Sequence, residues 1–224
     1  MDIICYLDVI PKELLEYIIS LIENKIYDLC LINKYFDNNC KIIKIIDNFK
    51  YPRITNIVLQ SLINLSSLSL SFNYIITNET IIKLSNLTHL DLACYNMISD
   101  KGIKGLSKLT ILSLSNKNSN MVTDKGIKDL INLTKLDLTS NTVITDAGIT
   151  KLTNLISLNL SWNQIITNEG IKILTNLTCL KLRSNNKITD EGIKLLTNIT
   201  SLNLSHNNII TDKEVKGLIN LRIL

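Results

Sequence analysis

From residue 65 onward, leucine and isoleucine recur in one fixed order. Leu155, Leu158 and Leu160 open one copy, and Ile166, Ile171 and Leu174 complete it. The same phrase restarts at Leu65, Leu87, Leu109, Leu133, Leu155, Leu177, Ile199 and Leu221, spaced by 22 residues except for one step of 24. With the first leucine of each copy as position 1, the apolar positions are 1, 4, 6, 12, 17 and 20. Positions 4 and 6 alternate with polar neighbours, which is the period of a strand, whereas 17 and 20 stand one helical turn apart. The spacing predicts a short strand, a turn and a short helical segment that carries the chain to the next strand. One such unit cannot bury its own apolar face, but stacked units can.

The polar positions repeat as strictly. Asn at position 9 (Asn73, Asn141, Asn163, Asn185, Asn207) falls where the strand ends. There a carboxamide can bond the backbone of its own turn and of the next one. Thr-Asp or Thr-Asn at positions 13 and 14, as in Thr189-Asp190, offers side-chain oxygens to the first free N–H groups of the helical segment. Two neighbouring units break the pattern. Tyr95 replaces the corner asparagine in one, and the other carries two extra residues within Lys117-Asn118-Ser119-Asn120. This irregularity predicts a loop at the corner edge that contributes to target choice.

The combination LxxLxLxxN followed by ITDxGIKxL closely resembles the leucine-rich repeat family, in a form similar to F-box leucine-rich proteins. The resemblance covers residues 65–224, as seven full units and a truncated eighth. It implies an α/β solenoid: a leucine-rich-repeat arc with a parallel sheet on its concave side. The register also runs backward. Ile43 and Ile46 fall at positions 1 and 4, and Ile54-Thr55-Asn56, Leu59 and Leu62 at 12 to 14, 17 and 20, so residues 43–64 read as a degenerate first repeat.

Residues 9–36, VIPKELLEYIISLIENKIYDLCLINKYF, predict two apolar helices. Pro11 suits a first helical position, and Leu14, Leu15, Ile18, Ile19, Leu21 and Ile22 give a broad apolar face. With Ile10-Pro11, Glu13-Leu14-Leu15 and the ending Ile32-Asn33-Lys34-Tyr35-Phe36, the stretch resembles an F-box, and residues 1–42 read as an F-box-like all-helical segment. Ile before the proline and Phe36 in place of tryptophan depart from that pattern. The resemblance implies docking to the SKP-type adaptor of a cullin-RING ubiquitin ligase through Pro11, Leu14, Leu15, Ile18, Leu21, Ile32 and Phe36. It also implies that the repeats hold a target protein. A competing reading makes these helices a cap over the first repeat, in a scaffold with no link to ubiquitin.

Composition narrows the picture modestly. The chain has 224 residues, 46% hydrophobic and 20% charged, which suits a folded protein rather than a disordered one. No apolar stretch approaches the ~18 to 20 residues that span a bilayer. The start, MDIICYLDVIPKELLEY, lacks the features of a signal peptide, so the expectation is an intracellular, cytoplasmic or nuclear protein. Five cysteines in no metal-ligand spacing read as free thiols of a reducing compartment. The glycosylation triplets at Asn86, Asn132, Asn176 and Asn198 fall on the repeat period and are read as part of it. An internalin-type surface adhesin, also built on 22-residue repeats, fits less well because no leader is visible and its Asp stands elsewhere in the repeat.

Residues that could carry chemistry do not converge. His89 and His206 lie five repeats apart, about 24 Å at ~4.8 Å per strand. Gly102-Ile103-Lys104-Gly105 matches an RNA-binding GxxG loop, but glycine stands at position 16 throughout the array. One lysine per repeat at position 18 or 19 reads as a solvated convex face, since a net charge of +4 without interleaved aromatics argues against nucleic acid. No cofactor, metal or catalytic residue is expected. Positions 3, 5, 7 and 8 face the concavity or its rim and are mostly small. Against that background Asp91, Asp137, Trp162, Lys181 and Arg183 stand out as candidate target-binding residues, with Tyr95 and Asn118 of the irregular units. Chain end LRIL predicts an uncapped last repeat, with Leu204, Ile210 and Leu218 partly uncovered and self-association through that edge.

Overall fold

The computed structural model describes residues 45–47, 55–62, 64–94, 96–115 and 121–223. The segment expected to be helical over residues 1–42 lies outside the described residues, with all seven adaptor-binding candidates from Pro11 to Phe36. Tyr95 and Asn118 lie outside them as well.

Among the described residues eight three-residue strands alternate with eight short helices. The strands are β1 (Ile45–Asp47), β2 (Ser67–Ser69), β3 (His89–Asp91), β4 (Ile111–Ser113), β5 (Lys135–Asp137), β6 (Ser157–Asn159), β7 (Cys179–Lys181) and β8 (Ser201–Asn203). The helices are α1 (Asn56–Ser61), α2 (Asn78–Ile81), α3 (Asp100–Ile103), α4 (Asp124–Ile127), α5 (Asp146–Ile149), α6 (Asn168–Ile171), α7 (Asp190–Ile193) and α8 (Asp212–Gly217). The strands form one parallel sheet in chain order. The molecule is thus an α/β solenoid with its sheet along the concave side. Register advances by one repeat per strand, Ser157 beside Cys179 and Leu158 beside Leu180. Between β4 and β5 the offset grows, pairing Ile111 with Lys135, so the two extra residues lie wholly outside the strands. Leu114 and Val122 both keep core places, so the extra length falls between them in the sequence.

The core is one continuous stack. Leu155, Leu158, Leu160, Ile166, Ile171 and Leu174 are all fully buried, as are their counterparts in the neighbouring repeats. Truncating one of them to alanine removes ~2–5 kcal/mol. At the end of the array Leu204 and Ile210 are partly covered, in line with expectation, but Leu218 is buried. Leu221 packs against the core, and the sheet edge continues past β8: Leu202 donates its N–H to the Ile223 carbonyl at 2.9 Å, and Ile223 pairs with Ser201.

Three polar rows tie the repeats together, and two of them work differently from expectation. At the corner, Asn163 accepts from the N–H groups of Ile165 and Ile166 in its own turn. Its amide donates to the carbonyls of Leu138 and Asn141 in the preceding repeat, not the following one. Asn185 and Asn207 repeat both donations one and two units on. In the repeat whose sequence lacks the position 9 asparagine, Asn96 moves in. It is buried, donates to the carbonyls of Leu92 and Cys94, and accepts from Ile98.

The second row corrects the expected helix cap. Asp at position 14 does not cap its own helix; it reaches into the next repeat. Asp124 accepts from the Thr145 N–H at 2.8 Å and from its hydroxyl at 2.6 Å, and Asp146 and Asp190 treat Thr167 and Thr211 alike. Threonine caps its own helix at Thr123, Thr145 and Thr167. This carboxylate row also explains the recurrent glycine. A Cβ at Gly148 would stand 2.5 Å from Asp124 Oδ1, and one at Gly126 the same distance from Asp100 Oδ1. Thr80 occupies the glycine position in an earlier repeat. It is buried, and its hydroxyl donates to Asn56 Oδ1 at 2.6 Å, turning the would-be clash into a bond.

A third row runs along the strand-start edge. Asn132, Asn154, Asn176, Asn198 and Asn220 each donate to a carbonyl of the preceding repeat at 2.8 to 2.9 Å, and all are exposed. Two residues on, Thr134 donates its hydroxyl to the Thr110 carbonyl and Thr200 does so to Thr178. The Asn-Leu-Thr triplet is therefore an edge asparagine, a core leucine and an edge threonine.

Candidate protein-interaction surface

Within each strand from β2 to β8 the middle residue is buried and its two neighbours face away from the core. Positions 3 and 5 thus form two parallel rows across the concave sheet, a consequence of strand alternation. Row 3 runs Ser67, His89, Ile111, Lys135, Ser157, Cys179, Ser201; row 5 runs Ser69, Asp91, Ser113, Asp137, Asn159, Lys181, Asn203. Most of these side chains are short, so the few long ones dominate the relief.

Beyond each strand the chain makes a sharp corner. Phe72, Cys94, Ser140, Trp162, Ser184 and His206, all at position 8, have φ between 51° and 61°. This is the left-handed region that glycine usually fills, at a cost of roughly 1–2 kcal/mol for other residues. Two flanking bonds hold it. Trp162 donates its N–H to the Arg183 carbonyl of the next repeat at 2.9 Å, and Asn163 donates to Leu160 in its own turn. The bend lifts the position 8 side chain outward at the rim, where Trp162 is 55% exposed and Phe72 is 51% exposed. The asparagine at position 9 marked the corner in the sequence, but no glycine marked the left-handed residue before it.

The candidate residues separate into engaged and unengaged groups. Asp91 accepts from the hydroxyls of Ser69 and Ser71 and from the Ala93 N–H. Asp137 accepts from the Thr139 N–H and hydroxyl and from the Asn159 amide. Asn159 and Asn203 bond the residue two places on in the same way. A side-chain oxygen at position 5, from aspartate or asparagine, therefore pins position 7, a structural duty not expected from the sequence. Lys181 holds that position in β7 without an acceptor, and Arg183 follows two residues later; both are exposed. Among the described residues every ion pair lies elsewhere: Lys101 with Glu79, Lys151 with Asp129, Lys172 with Glu169, and Lys194 with Glu191. Lysines 151, 172 and 194 belong to the convex row. The Lys101 ammonium, bonded to Glu79, holds that exposed carboxyl at about 2.

His89 is half-buried in row 3, with Nδ1 at 2.7 Å from the Thr88 hydroxyl. Burial, and then the Lys135 ammonium two strands along the same row, holds its imidazole below the usual histidine range. No cluster of three or more metal-ligating side chains occurs among the described residues. Cys94 and Cys179 are free, half-buried thiols. A shallow groove of about 800 Å³ follows the strand-start edge, lined by the exposed asparagines and by Thr134, Thr178 and Thr200. No helix among the described residues is long and apolar enough to cross a membrane.

A family model described as Leucine Rich repeat matches residues 83–107, 129–153, 151–172, 174–196 and 195–218, together just over half of the chain. The chain belongs to the leucine-rich repeat family. No curated protein matches it. Among solved structures it is similar to an internalin (inlF) from Listeria monocytogenes, at 29% identity and a TM-score of 0.59 over 76% of this chain. It spans 50% of that internalin's length. Internalin C2 (inlC2) of the same bacterium is 32% identical with a TM-score of 0.56, over 74% of this chain and 83% of that one. A chain of the yeast complex of Rad7 and Elc1 shares the fold at 23% identity and a TM-score of 0.53, over 72% of this chain and 56% of that one. The internalins, ranked behind the F-box proteins on sequence, are thus nearer in identity than the yeast chain. Leucine-rich repeat proteins are typically binding scaffolds without catalysis, and these repeats form such a protein-interaction surface.

Proposed function

We propose that the concave sheet and its corner rim hold a target protein, and that the segment 1–42 docks the SKP-type adaptor of a cullin-RING ubiquitin ligase. The observation that carries the first half is the relief of this face: mostly short side chains along rows 3 and 5, with the long Lys181 in row 5 and Arg183 and the outward Trp162 at the neighbouring rim. Trp and Arg are enriched among residues that dominate interfaces. The second half rests on the F-box-like pattern from Ile10 to Phe36 standing directly before the repeats. The fold shared with a chain of the Rad7 and Elc1 complex is consistent with it. Target binding is assigned to Asp91, Tyr95, Asn118, Asp137, Trp162, Lys181 and Arg183, and adaptor binding to Pro11, Leu14, Leu15, Ile18, Leu21, Ile32 and Phe36.

The test is co-purification of purified SKP-type adaptor with the full chain and with the double variant Leu15→Asp, Ile18→Asp. Loss of the adaptor with circular dichroism of the repeats unchanged supports docking through the N-terminal segment. An adaptor that binds neither protein favours the second reading, a scaffold with no ubiquitin link, which the greater identity to the internalins supports.

A further inference from the structure

The charged side chains of the concave face differ in how far the fold already engages them. Asp91 on β3 and Asp137 on β5 spend their oxygens on the turns around them, three bonds each. On β7 the position that elsewhere holds an acceptor carries Lys181, and Arg183 follows at the rim. Neither has a carboxylate or hydrogen-bond acceptor among the described residues, and both are exposed. Trp162, the only tryptophan of the chain, leans out of the adjoining corner, joined to Arg183 by the 2.9 Å backbone bond between them. One apolar ring and two unpaired cations therefore share a patch across two neighbouring repeats. Asp137 stands two strands away, about 10 Å.

We infer that this patch receives an acidic peptide segment of the target, with one large apolar side chain against Trp162 and its carboxylates on Lys181 and Arg183. The inference rests on the reading of the concave face as the target surface and narrows it to a partner chemistry. Arg offers a planar fork that matches a carboxylate, and both cations lose little on binding because no internal pair must first be broken. A nucleic acid fits less well. Two cations neutralise few phosphates, too few for the salt-dependent grip a nucleic acid needs. Among the described residues no aromatic row accompanies the cations to stack bases.

A phage library of random 12-residue peptides, selected on the full chain, supplies the probe. The selected peptides are then synthesised and titrated while the fluorescence of Trp162 is followed. Expected are peptides of net negative charge with an apolar residue, binding that weakens as salt rises, and a shift of the tryptophan signal. The double variant K181E/R183E should lose at least tenfold in affinity, whereas Lys151→Glu on the convex side should lose none. Circular dichroism of each variant checks folding, and Lys181→Gln with Arg183→Gln, a milder change, should give an intermediate loss.

A further variant, Ser69→Arg with Ser113→Arg, obstructs the concave rows away from the patch and separates the two levels of the reading. Peptides blocked by it but indifferent to charge reversal would overturn the acidic-segment inference and leave the concave surface standing. Peptides indifferent to both would overturn the concave surface itself. Selection of basic or neutral peptides, or tighter binding of a 15-nucleotide single-stranded oligothymidine than of any peptide, would also overturn the inference.

Discussion

Two rows of asparagine run along the array, one at the corner and one at the strand-start edge, and each makes the same bond from an amide to a carbonyl of the preceding repeat. Asn163 is fully buried, makes two such bonds and accepts two more from its own turn. Asn176 is exposed and makes one. Identical chemistry should thus carry very different free energy. Water can replace the lost partner at the edge, whereas at the corner the abandoned N–H and carbonyl groups stay buried and unpaired. The asparagine and threonine rows of the edge locate the groove, and the corner row holds the left-handed bend that presents Trp162.

The largest expected effect is that of Asn163→Ala, which should cost about 3 kcal/mol or more by urea unfolding, since four buried bonds disappear together. A loss below 1 kcal/mol would mean that water enters the corner, and the distinction between the rows would collapse. The carboxylate row is of intermediate burial and should rank between them. Gly148→Ala drives a methyl against Asp124 Oδ1 and should cost roughly 1–3 kcal/mol. Combined with Asp124→Ala it should cost less than the two single changes added, and strict additivity would show that the methyl never meets that carboxylate.

Smaller still, and opposite in sign, is Ser184→Gly. Its φ of 51° is strained for serine and free for glycine, while glycine loses more entropy on folding, so a net gain of about 0.5 kcal/mol is expected. Destabilisation would show that the serine side chain contributes to the corner. Last comes Asn176→Ala, expected within about 0.5 kcal/mol of the parent. A cost near that of Asn163→Ala would refute the claim that burial sets the value of the bond.

The apolar stack was readable residue by residue, because each of its six positions repeats with the period that its element demands. So was the extra length between Leu114 and Val122, which shows as a single step of 24 in an otherwise uniform count. Direction was not readable. Nothing in Thr-Asp says whether the carboxylate turns inward to its own helix or across to the next repeat, since both satisfy a free N–H group. Glycine at position 16 held the missing clue, as it marks where a neighbour's side chain passes. The left-handed corner was hidden for a different reason: its stability comes from Asn163 and from the following repeat, so Trp162 itself carries no local signature. Among the candidate site residues, Asp91 and Asp137 were noticed for their charge, but the bonds that occupy them depend on Ser69, Thr139 and Asn159 on neighbouring strands and turns.

The uniform register of the sheet also governs how the chain reaches its fold. Every strand pairs with the one a single repeat away, and no described strand pairs with a distant one. Ordering therefore never requires closure of a loop much longer than one repeat, so sequence separation between partners stays short and constant however long the array becomes. Structure can start at any sound pair of repeats and grow in both directions. The unit with the shifted asparagine and the unit with the longer corner sit next to each other, which makes that junction the place where a growing front should hesitate.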